Sequence, residues 1–385
     1  MSSAVEVVVT GIGLVSALGN LQETWQRLLV GTSAVQLHQP FPELAPQPVA
    51  LIAQTPSSLL ALTHQAVTQA LLTAELAPPL ENCGVVIGSS RSHQAQWEDW
   101  LRARTHDDDR LLPSLTTWLD TLPNAAAIAT ARQSGCTGPV LAPMAACATG
   151  LWAIAQAYEL LQLHQCDRVI AGAIEAPISP LTLAGFSKIG ALSRSGAYPF
   201  DRHRDGFVLG EGGAVLVLET AEAARRRSAT VYGQILGFGF TADGYHVSAP
   251  DPGQREAAIA VKQCLKRSQL QPQAIGYIHA HGTATQLNDR NEAALIQHLF
   301  PGGVAVSSTK GATGHTLGAS GAIGVALSLL ALKQQVLPPC VGLQQPEFDL
   351  DLVTASRPST AAYALCLGFG FGGQNGAIAL KRVAS

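Results

Sequence analysis

Charged side chains are scarce in this sequence. Of its 385 residues only 13% are Asp, Glu, Lys or Arg, whereas 47% are hydrophobic and 37 are glycine. Such a composition favours closely packed layers and burial of part of the surface against a second copy of the chain. The net charge of −3 provides no general attraction to nucleic acid or to a membrane surface, so neither is predicted as a partner.

Paired cysteines and long apolar runs are also missing. The seven cysteines are scattered and none forms a CxxC pair, so we predict no disulfide framework, no zinc site and a reducing, cytoplasmic location. The N-terminus carries Glu6 and has no basic region before its apolar run, unlike a secretory signal. The longest apolar run, residues 317–332, is shorter than the roughly 18 residues that span a bilayer and predicts a core helix.

Continuous apolar strands alternate with helical patterns along most of the chain. Strands that are apolar on both faces are buried between helices, which predicts an α/β fold. The polar residues 91–120, with Asp107-Asp108-Asp109 in their middle, predict an exposed excursion. The charged stretch 221–227 predicts a boundary between two halves, residues 1–225 and 226–385.

Two segments follow the same plan. Strand–APMAACATG–helix in the first half resembles strand–GATGHTLGASG–helix in the second, because both place a turn of small residues before an apolar helix. This weak internal repeat predicts two similar α/β halves that face each other.

Cys147 lies between a short predicted strand (Val140, Leu141) and an apolar helix that extends to about Leu161. A helix N-terminus presents free N–H groups and the positive end of a dipole, which lower the pKa of a thiol placed there. Cys147 is therefore a candidate nucleophile. Free cysteines also fill buried strand–helix junctions, so Cys147 alone leaves both interpretations open.

Two histidines follow predicted strand ends in the second half, His281 and His315. Each alone is compatible with a structural role, but two imidazoles at neighbouring turns can donate N–H groups to one developing oxyanion. Their spacing is far from HExxH, so no metal site is indicated. Lys310 precedes His315 in a Gly-rich turn and, if buried, needs an anion that Glu292 or Asp289 can supply.

The C-terminal stretch GFGFGGQN lacks both the helix-opening GxGxxG pattern and a terminal GK[ST], so it does not predict a nucleotide site. Its glycines instead predict a sharp turn whose backbone N–H groups approach a ligand.

Together these stretches resemble the β-ketoacyl-(acyl carrier protein) synthases of the elongating type, the condensing enzymes of fatty-acid and polyketide synthesis. The similarity extends over nearly the whole chain, through VVVTGIGLVSALGN, AACATG, PFDRHRDGFVLGEGG, HGTATQLND, STKGATGHTLGASG and GFGFGGQNGA. It implies a thiolase-like α/β fold, with two pseudo-repeated halves in five αβαβα layers. It also implies a homodimer that works with an acyl carrier protein and needs no cofactor.

The resemblance implies roles for the candidate catalytic residues. Cys147 matches the nucleophile that accepts the acyl group from a carrier thioester. His281 and His315 match the pair that promotes malonyl decarboxylation and stabilises the enolate. Lys310 matches the lysine that supports the second histidine, and Glu292 matches its acidic partner.

The remaining implied roles concern support and binding. Asp289 matches a further acidic support. The backbone N–H groups of Cys147 and Phe371 match the oxyanion hole, and Phe371 also matches a gating aromatic. Thr283 and Thr285 match residues that contact pantetheine.

Several features depart from the family or leave alternatives open. Gly324 replaces a Glu that in many relatives is associated with a monovalent-ion site, and RSHQAQWEDWLRAR replaces a Gly-rich stretch that shapes the acyl pocket.

A thiolase requires a second catalytic cysteine in the C-terminal turn, where only Cys366 lies nearby, as part of a predicted strand. A non-catalytic chain-length factor is the other alternative. Lys188 and residues 202–204 are candidate docking cations for an acidic carrier protein.

Overall fold

Two half-sheets with the same strand pattern form the framework of the molecule. The computed structural model describes residues 5–105 and 118–383. The strands of this part are β1 (Val7–Ser16), β2 (Gly19–Asn20), β3 (Gln36–His38), β4 (Gln47–Ala50), β5 (Cys83–Gly88), β6 (Val140–Leu141), β7 (Arg168–Glu175), β8 (Leu209–Gly210), β9 (Gly212–Thr220), β10 (Gly233–Ala242), β11 (Tyr277–His279), β12 (Ala305–Ser307), β13 (Val336–Leu337), β14 (Asp351–Leu352), β15 (Arg357–Pro358), β16 (Tyr363–Gly370) and β17 (Gln374–Lys381).

The helices are distributed along both halves of the chain, and most of them connect strands of the half-sheets. In the described residues they are α1 (Leu21–Leu29), α2 (Leu59–Thr73), α3 (Gln94–Thr105), α4 (Ala125–Ser134), α5 (Thr149–Gln162), α6 (Pro180–Lys188), α7 (Ala221–Arg226), α8 (Arg255–Arg267), α9 (Gln286–Leu299), α10 (Lys310–Thr313) and α11 (Ser320–Gln334), with short 3-10 helices at Pro272–Ala274 and Leu317–Ala319.

The strand order repeats between the halves. The first half-sheet has the order β1-β9-β7-β5-β6, with antiparallel β1–β9 and β9–β7 pairs followed by parallel β7–β5 and β5–β6 pairs. The second has the order β10-β17-β16-β11-β12 with the same succession of pairings, and β14 extends its edge. A short antiparallel β1–β10 pairing joins them. The predicted repeat is therefore confirmed.

Helices and half-sheets stack in five layers. Helices α5 and α11 pack against each other between the two half-sheets and form the central layer. Helices α2 and α4 cover the outer face of the first half-sheet, and α8 and α9 cover that of the second. Parallel strands in such a sheet are buried on both faces, which explains their continuous apolar sequences.

One helical stretch of the described residues, Leu317–Gln334, is long and apolar enough to cross a membrane, but 89% of it is buried inside the protein. This burial confirms the predicted core helix.

The predicted exposed excursion is only partly correct. Residues 94–105 form helix α3, and Ser92, His93 and Ala103 are buried. One contact that holds α3 in place is the hydrogen bond that Trp97 Nε1 donates to Thr121 Oγ1 at 3.0 Å. The Asp107-Asp108-Asp109 run lies outside the described residues. The boundary between residues 1–225 and 226–385 stays a prediction.

Candidate active site

Cys147 lies at the end of a constrained turn between β6 and α5. Ala146 adopts a left-handed backbone with φ of 47°. The Thr149 hydroxyl accepts the N–H of Ala145 at 2.8 Å and donates to the carbonyl of Ala146 at 2.7 Å. These bonds hold the turn and place Cys147 just before Ala148, the N-cap of α5, at the helix start that the sequence predicts.

The expected low pKa of this thiol is wrong for the structure. Cys147 is half-buried, and desolvation raises the pKa of its thiol to about 11, although the positive charge of Lys310 opposes the shift. The backbone N–H of Phe371 also lowers the pKa of the thiol and favours the thiolate. Burial therefore outweighs the groups around Cys147 that stabilise its thiolate.

His281 begins the loop after β11 and is fully buried. The carboxylate of Glu292, on α9, accepts the N–H groups of His281 and Gly282 at 2.6 and 2.7 Å. Lys310 Nζ donates to the carbonyl oxygen of His281 and lies 3.4 Å from its Nδ1. The lysine thus supports the first histidine, not the second as the resemblance implied, because α10 carries it beneath the His281 loop.

His315 is held by Ser320, which the sequence pattern did not identify as a site residue. Its Nδ1 lies 2.9 Å from the hydroxyl of Ser320, which begins helix α11. The backbone N–H of His315 donates to the carbonyl of Val208 at 2.7 Å. The ring of Phe207 packs edge-on against the imidazole, with the ring centres 5.2 Å apart. Ser320 begins the helix that follows the His315 turn, and a hydroxyl at that position in the sequence could have indicated a partner for the histidine.

Cys147, His281 and His315 converge at one point. The sulfur and one ring nitrogen of each histidine lie within 4.8 Å of one another, and the two imidazole rings are perpendicular at 5.4 Å. Desolvation, followed by the charge of Lys310, holds the pKa of both imidazoles well below the usual range of histidine. Both are therefore neutral at physiological pH.

The hydrogen bonds indicate which ring nitrogen carries the proton. Lys310 lies against Nδ1 of His281, and a cation there requires Nδ1 to be an acceptor. The Ser320 hydroxyl can donate to Nδ1 of His315. This assignment leaves an N–H donor at Nε2 of each histidine, which is the pair of donors that an enolate oxygen requires.

A cavity of about 290 Å³ opens onto this cluster and is lined by both halves of the chain. Thr283 and Thr285 lie on its wall, but their hydroxyls are 2.9 Å apart and Thr285 also caps α9. Phe371 lies at the rim, where it is 38% exposed and packs edge-on against Phe186 at 6.1 Å. Gly370 allows close approach, because a Cβ there would lie 3.0 Å from the Cys147 nitrogen.

Known proteins match this chain over almost its full length. Residues 50–224 match the family model for the beta-ketoacyl synthase N-terminal domain, and residues 232–344 match that for the C-terminal domain. The chain belongs to the β-ketoacyl synthase family. It is 35% identical over 409 residues to 3-oxoacyl-[acyl-carrier-protein] synthase 2 of Mycobacterium tuberculosis, covering 98% of this chain and 97% of that protein. The same-named protein of Synechocystis is 36% identical over 411 residues, with 98% of each chain covered.

A solved β-ketoacyl synthase has the same fold. The structure of a type II PKS acyl-carrier protein in complex with its ketosynthase bound to the hexaketide superposes with a TM-score of 0.93 at 28% identity, covering 99% of this chain and 100% of that chain. The predicted thiolase-like α/β fold is confirmed.

Asp289 and Arg204 hold the loop of this β-ketoacyl synthase that carries His281. Asp289 accepts the N–H groups of Phe200 at 2.8 Å and Ala284 at 3.2 Å. The fully buried guanidinium of Arg204 lies 3.6 Å from Asp289 and donates to the carbonyl of Asp201 at 2.8 Å. Arg204 is therefore not a docking residue as predicted, because its charge is satisfied inside the protein. Arg202 and Lys188 are exposed.

The space above Gly324 is filled, so the ion site associated with a Glu in other β-ketoacyl synthases does not fit this chain. A Cβ on Gly324 would lie 2.7 Å from both His279 Nδ1 and Cys366 Sγ. His279 Nε2 is bonded to Thr309 Oγ1 at 3.1 Å, and burial lowers the pKa of this imidazole to about 3. Cys366 is buried within β16, as predicted for a strand residue.

Proposed function

We propose that this β-ketoacyl synthase condenses a Cys147-bound acyl group with malonyl-(acyl carrier protein), releasing carbon dioxide and forming 3-oxoacyl-(acyl carrier protein). One observation carries the assignment of roles: a thiol and two neutral imidazoles from opposite halves meet within 4.8 Å at the end of one cavity. A nucleophile beside two N–H donors suits acyl transfer followed by chemistry through an enolate.

Acyl transfer comes first. The Cys147 thiolate attacks the carbonyl carbon of an acyl-carrier thioester, and the carrier leaves as its thiol after taking up a proton. The tetrahedral oxyanion accepts hydrogen bonds from the backbone N–H groups of Cys147 and Phe371. Gly370 lets the chain that leads to Phe371 come close to the Cys147 nitrogen. The helix start beyond Cys147 adds a favourable field for the developing negative charge.

Decarboxylation and condensation use the second half. When malonyl thioester occupies the cavity, its carboxylate carbon–carbon bond breaks, carbon dioxide leaves and the electron pair forms an enolate. The enolate oxygen accepts the N–H donors of His281 and His315. The enolate carbon then attacks the Cys147 thioester, the new carbon–carbon bond forms and the Cys147 thiolate is released.

The supporting residues act through the histidines and the substrate path. Lys310 fixes the orientation of His281, and Glu292 and Asp289 hold the loop around it. Thr283 and Thr285 line the cavity where a pantetheine arm enters. Phe371 lies at the rim, where it controls access to the thiol.

An acyl carrier protein is the proposed partner. Lys188 is exposed and adjoins Ile189 and Gly190, which line the cavity mouth. A cation there complements the acidic surface of a carrier protein. Lys188→Glu is expected to raise KM for carrier-bound substrate and to leave KM for a carrier-free pantetheine thioester unchanged. An equal rise for both substrates would argue against a docking role.

A homodimer is proposed from the edge of the first half-sheet. Strand β6 ends the strand order; Leu141 within it is 38% exposed, and Met144 just after it is 71% exposed. Pairing with β6 of a second copy would cover this unprotected edge, which is otherwise an aggregation hazard. We also propose a cytoplasmic location, in keeping with seven free cysteines, all of which lie in the described residues.

Product analysis tests the proposal directly. The purified protein is incubated with acyl-carrier and malonyl-carrier thioesters, and 3-oxoacyl-carrier product is measured by mass spectrometry. Product that depends on both thioesters supports the assignment. Absence of product with a full panel of acyl groups would favour a chain-length-factor role, whereas condensation of acetyl thioesters without malonyl would indicate a thiolase.

A further inference from the structure

The end of β5 and the turn that follows it contact both halves of the active site. A Cβ on Gly88 would lie 2.4 Å from Cγ2 of Thr149, the first residue of α5. A Cβ on Gly318, in the turn that carries His315, would lie 3.0 Å from Cβ of Ser90. Arg91 is the next residue of this turn, and it lies near enough to Cys147 for its positive charge to favour the thiolate.

A buried carboxylate anchors this turn. Glu175 Oε2 accepts the Ser89 hydroxyl at 3.1 Å and the Arg91 N–H at 3.3 Å, and Oε1 accepts the N–H of Ser90. These bonds engage both oxygens of Glu175 with the turn. The backbone of Arg91 consequently has little freedom, and its side chain starts from a fixed point.

The side chain of Arg91 packs on Phe186, one of the residues that line the cavity. Its Cζ is 5.1 Å from the centre of the Phe186 ring, and Phe186 lines the cavity together with Cys147. Among the described residues the guanidinium makes one hydrogen bond, to Gln94 Oε1 at 3.4 Å. A guanidinium has five N–H donors, so Arg91 keeps donors for a further acceptor.

The surroundings of Arg91 are polar, not hydrocarbon-like. Gln94 donates to Glu98 at 2.9 Å and to the hydroxyl of Thr182 at 3.2 Å. Thr182 lies one turn before Phe186 on helix α6, and Ser179 donates to Glu98 at 2.7 Å. An alkyl chain that extends past Phe186 would cover the free N–H donors of Arg91 without offering them an acceptor, which costs free energy.

We propose that Arg91 selects acyl groups that carry a hydrogen-bond-accepting oxygen, a carboxylate or a hydroxyl, at the end remote from the thioester, over saturated chains of equal length. The inference rests on the proposed condensation at Cys147 and names its acyl substrate class. A guanidinium binds a carboxylate through two parallel hydrogen bonds and a hydroxyl through one. The segment that holds Arg91 is also the one that departs from the Gly-rich stretch of the family.

Competition between acyl groups tests this selection. Carrier thioesters of hexanoyl, ω-hydroxyhexanoyl and adipoyl groups are mixed, and acylation of Cys147 is followed on the intact protein by mass spectrometry. The wild-type protein is expected to favour the adipoyl and hydroxyhexanoyl groups by about tenfold or more. Arg91→Met should reverse the preference towards hexanoyl, and Arg91→Lys should retain part of it.

The ratio is measured within one protein sample, so a general loss of activity or folding yield cancels. Arg225→Met, which removes an exposed arginine on α7, serves as the matched control and should keep the wild-type ratio. A wild-type preference for hexanoyl, or a ratio that Arg91→Met leaves unchanged, would overturn the selection by Arg91 but not the condensation. Failure of all three groups to acylate Cys147 would overturn the proposed function and this inference with it.

Discussion

The two turns that build the site have the same plan but opposite surroundings. Around β6 and Cys147 the chain is half-exposed, and Met144 is 71% exposed. The equivalent segment from β12 to α11 is buried throughout, including Lys310, His315 and Ser320. Both turns precede a helix of the central layer.

The exposed turn gives the acyl group access to Cys147, whereas the buried turn holds catalytic groups in fixed positions. The first-half turn must admit an acyl group, so its thiol lies where a carrier can reach it. The second half must hold two neutral donors in fixed positions, His315 in this turn and His281 in the loop after β11, and burial lowers the pKa of each imidazole. The strand–turn–helix unit thus provides the reactive thiol in the first half of the chain and a rigid, buried environment for the imidazole in the second half.

The largest expected effect comes from removing the reactive group of the first half. Cys147→Ala should abolish condensation, by about a thousandfold or more, because no covalent acyl intermediate can form. Cys147→Gln should also lose condensation but still release carbon dioxide from malonyl-carrier thioester, since the amide occupies the place of the acylated sulfur. A Gln variant that releases no carbon dioxide would show that the two turns do not work separately.

Removing a donor from the second half should have the converse effect. His281→Ala or His315→Ala is expected to reduce decarboxylation by about a hundredfold, as for loss of an oxyanion-hole donor. Ser320→Ala should reduce it less, because the imidazole remains but loses its orienting bond. Acylation of Cys147, followed on the intact protein, should persist in all three variants, and its loss in step with decarboxylation would contradict the division of roles.

The two turns should also respond differently to pH. Carbon dioxide release by the Cys147→Gln variant should not fall as the pH drops through about 6.5, the ordinary pKa of histidine, because both imidazoles stay neutral there. A fall centred there would contradict the lowered imidazole pKa values.

Alkylation of Cys147 by iodoacetamide should instead rise about tenfold per pH unit above neutrality, because the thiolate fraction grows steadily below a pKa of about 11. The Cys147→Ala protein gives the background from half-buried Cys136. A rate that levels off near neutral pH would indicate a low thiol pKa.

The smallest effect concerns packing beneath the second half. Gly324→Ala should lower the free energy of unfolding by about 1–3 kcal/mol, because the added methyl group meets His279 and Cys366. Gly302→Ala, where a Cβ meets no atom within 4 Å, is the matched control and should change it little. Urea unfolding measures both, and equal values would show that His279 gives way easily.

Strand and helix periodicity and the turns of small residues are local properties, so they predicted the alternating strands and helices and the two similar halves. The family resemblance supplied the five layers and the grouping of Cys147 with His281 and His315, which the structure brings together. The sequence could not predict which histidine Lys310 supports, since that depends on how α10 crosses the His281 loop. The exposed position expected for Arg204 was wrong for a similar reason: its partners, Asp289 and Asp201, come together only in the folded chain.

The sequence also could not predict how strongly burial would desolvate the Cys147 thiol. A helix start beside Cys147 predicted a low thiol pKa, but the depth of burial that raises it depends on packing from residues distant in the chain. Helix α3 was missed because its polar sequence shows no clear apolar period, and its order depends on contacts such as that between Trp97 and Thr121.

Ala146 has a consequence for how this enzyme can change over time. A residue with a Cβ at a left-handed φ costs about 1 kcal/mol or more, and glycine at this position would relieve that cost. Its methyl group, however, lies 3.2 Å from where a Gly370 Cβ would stand and spaces the nucleophile turn from the chain that leads to Phe371. Glycine at this position would therefore remove the backbone strain and the spacing together, so a substitution that relieves one also alters the other.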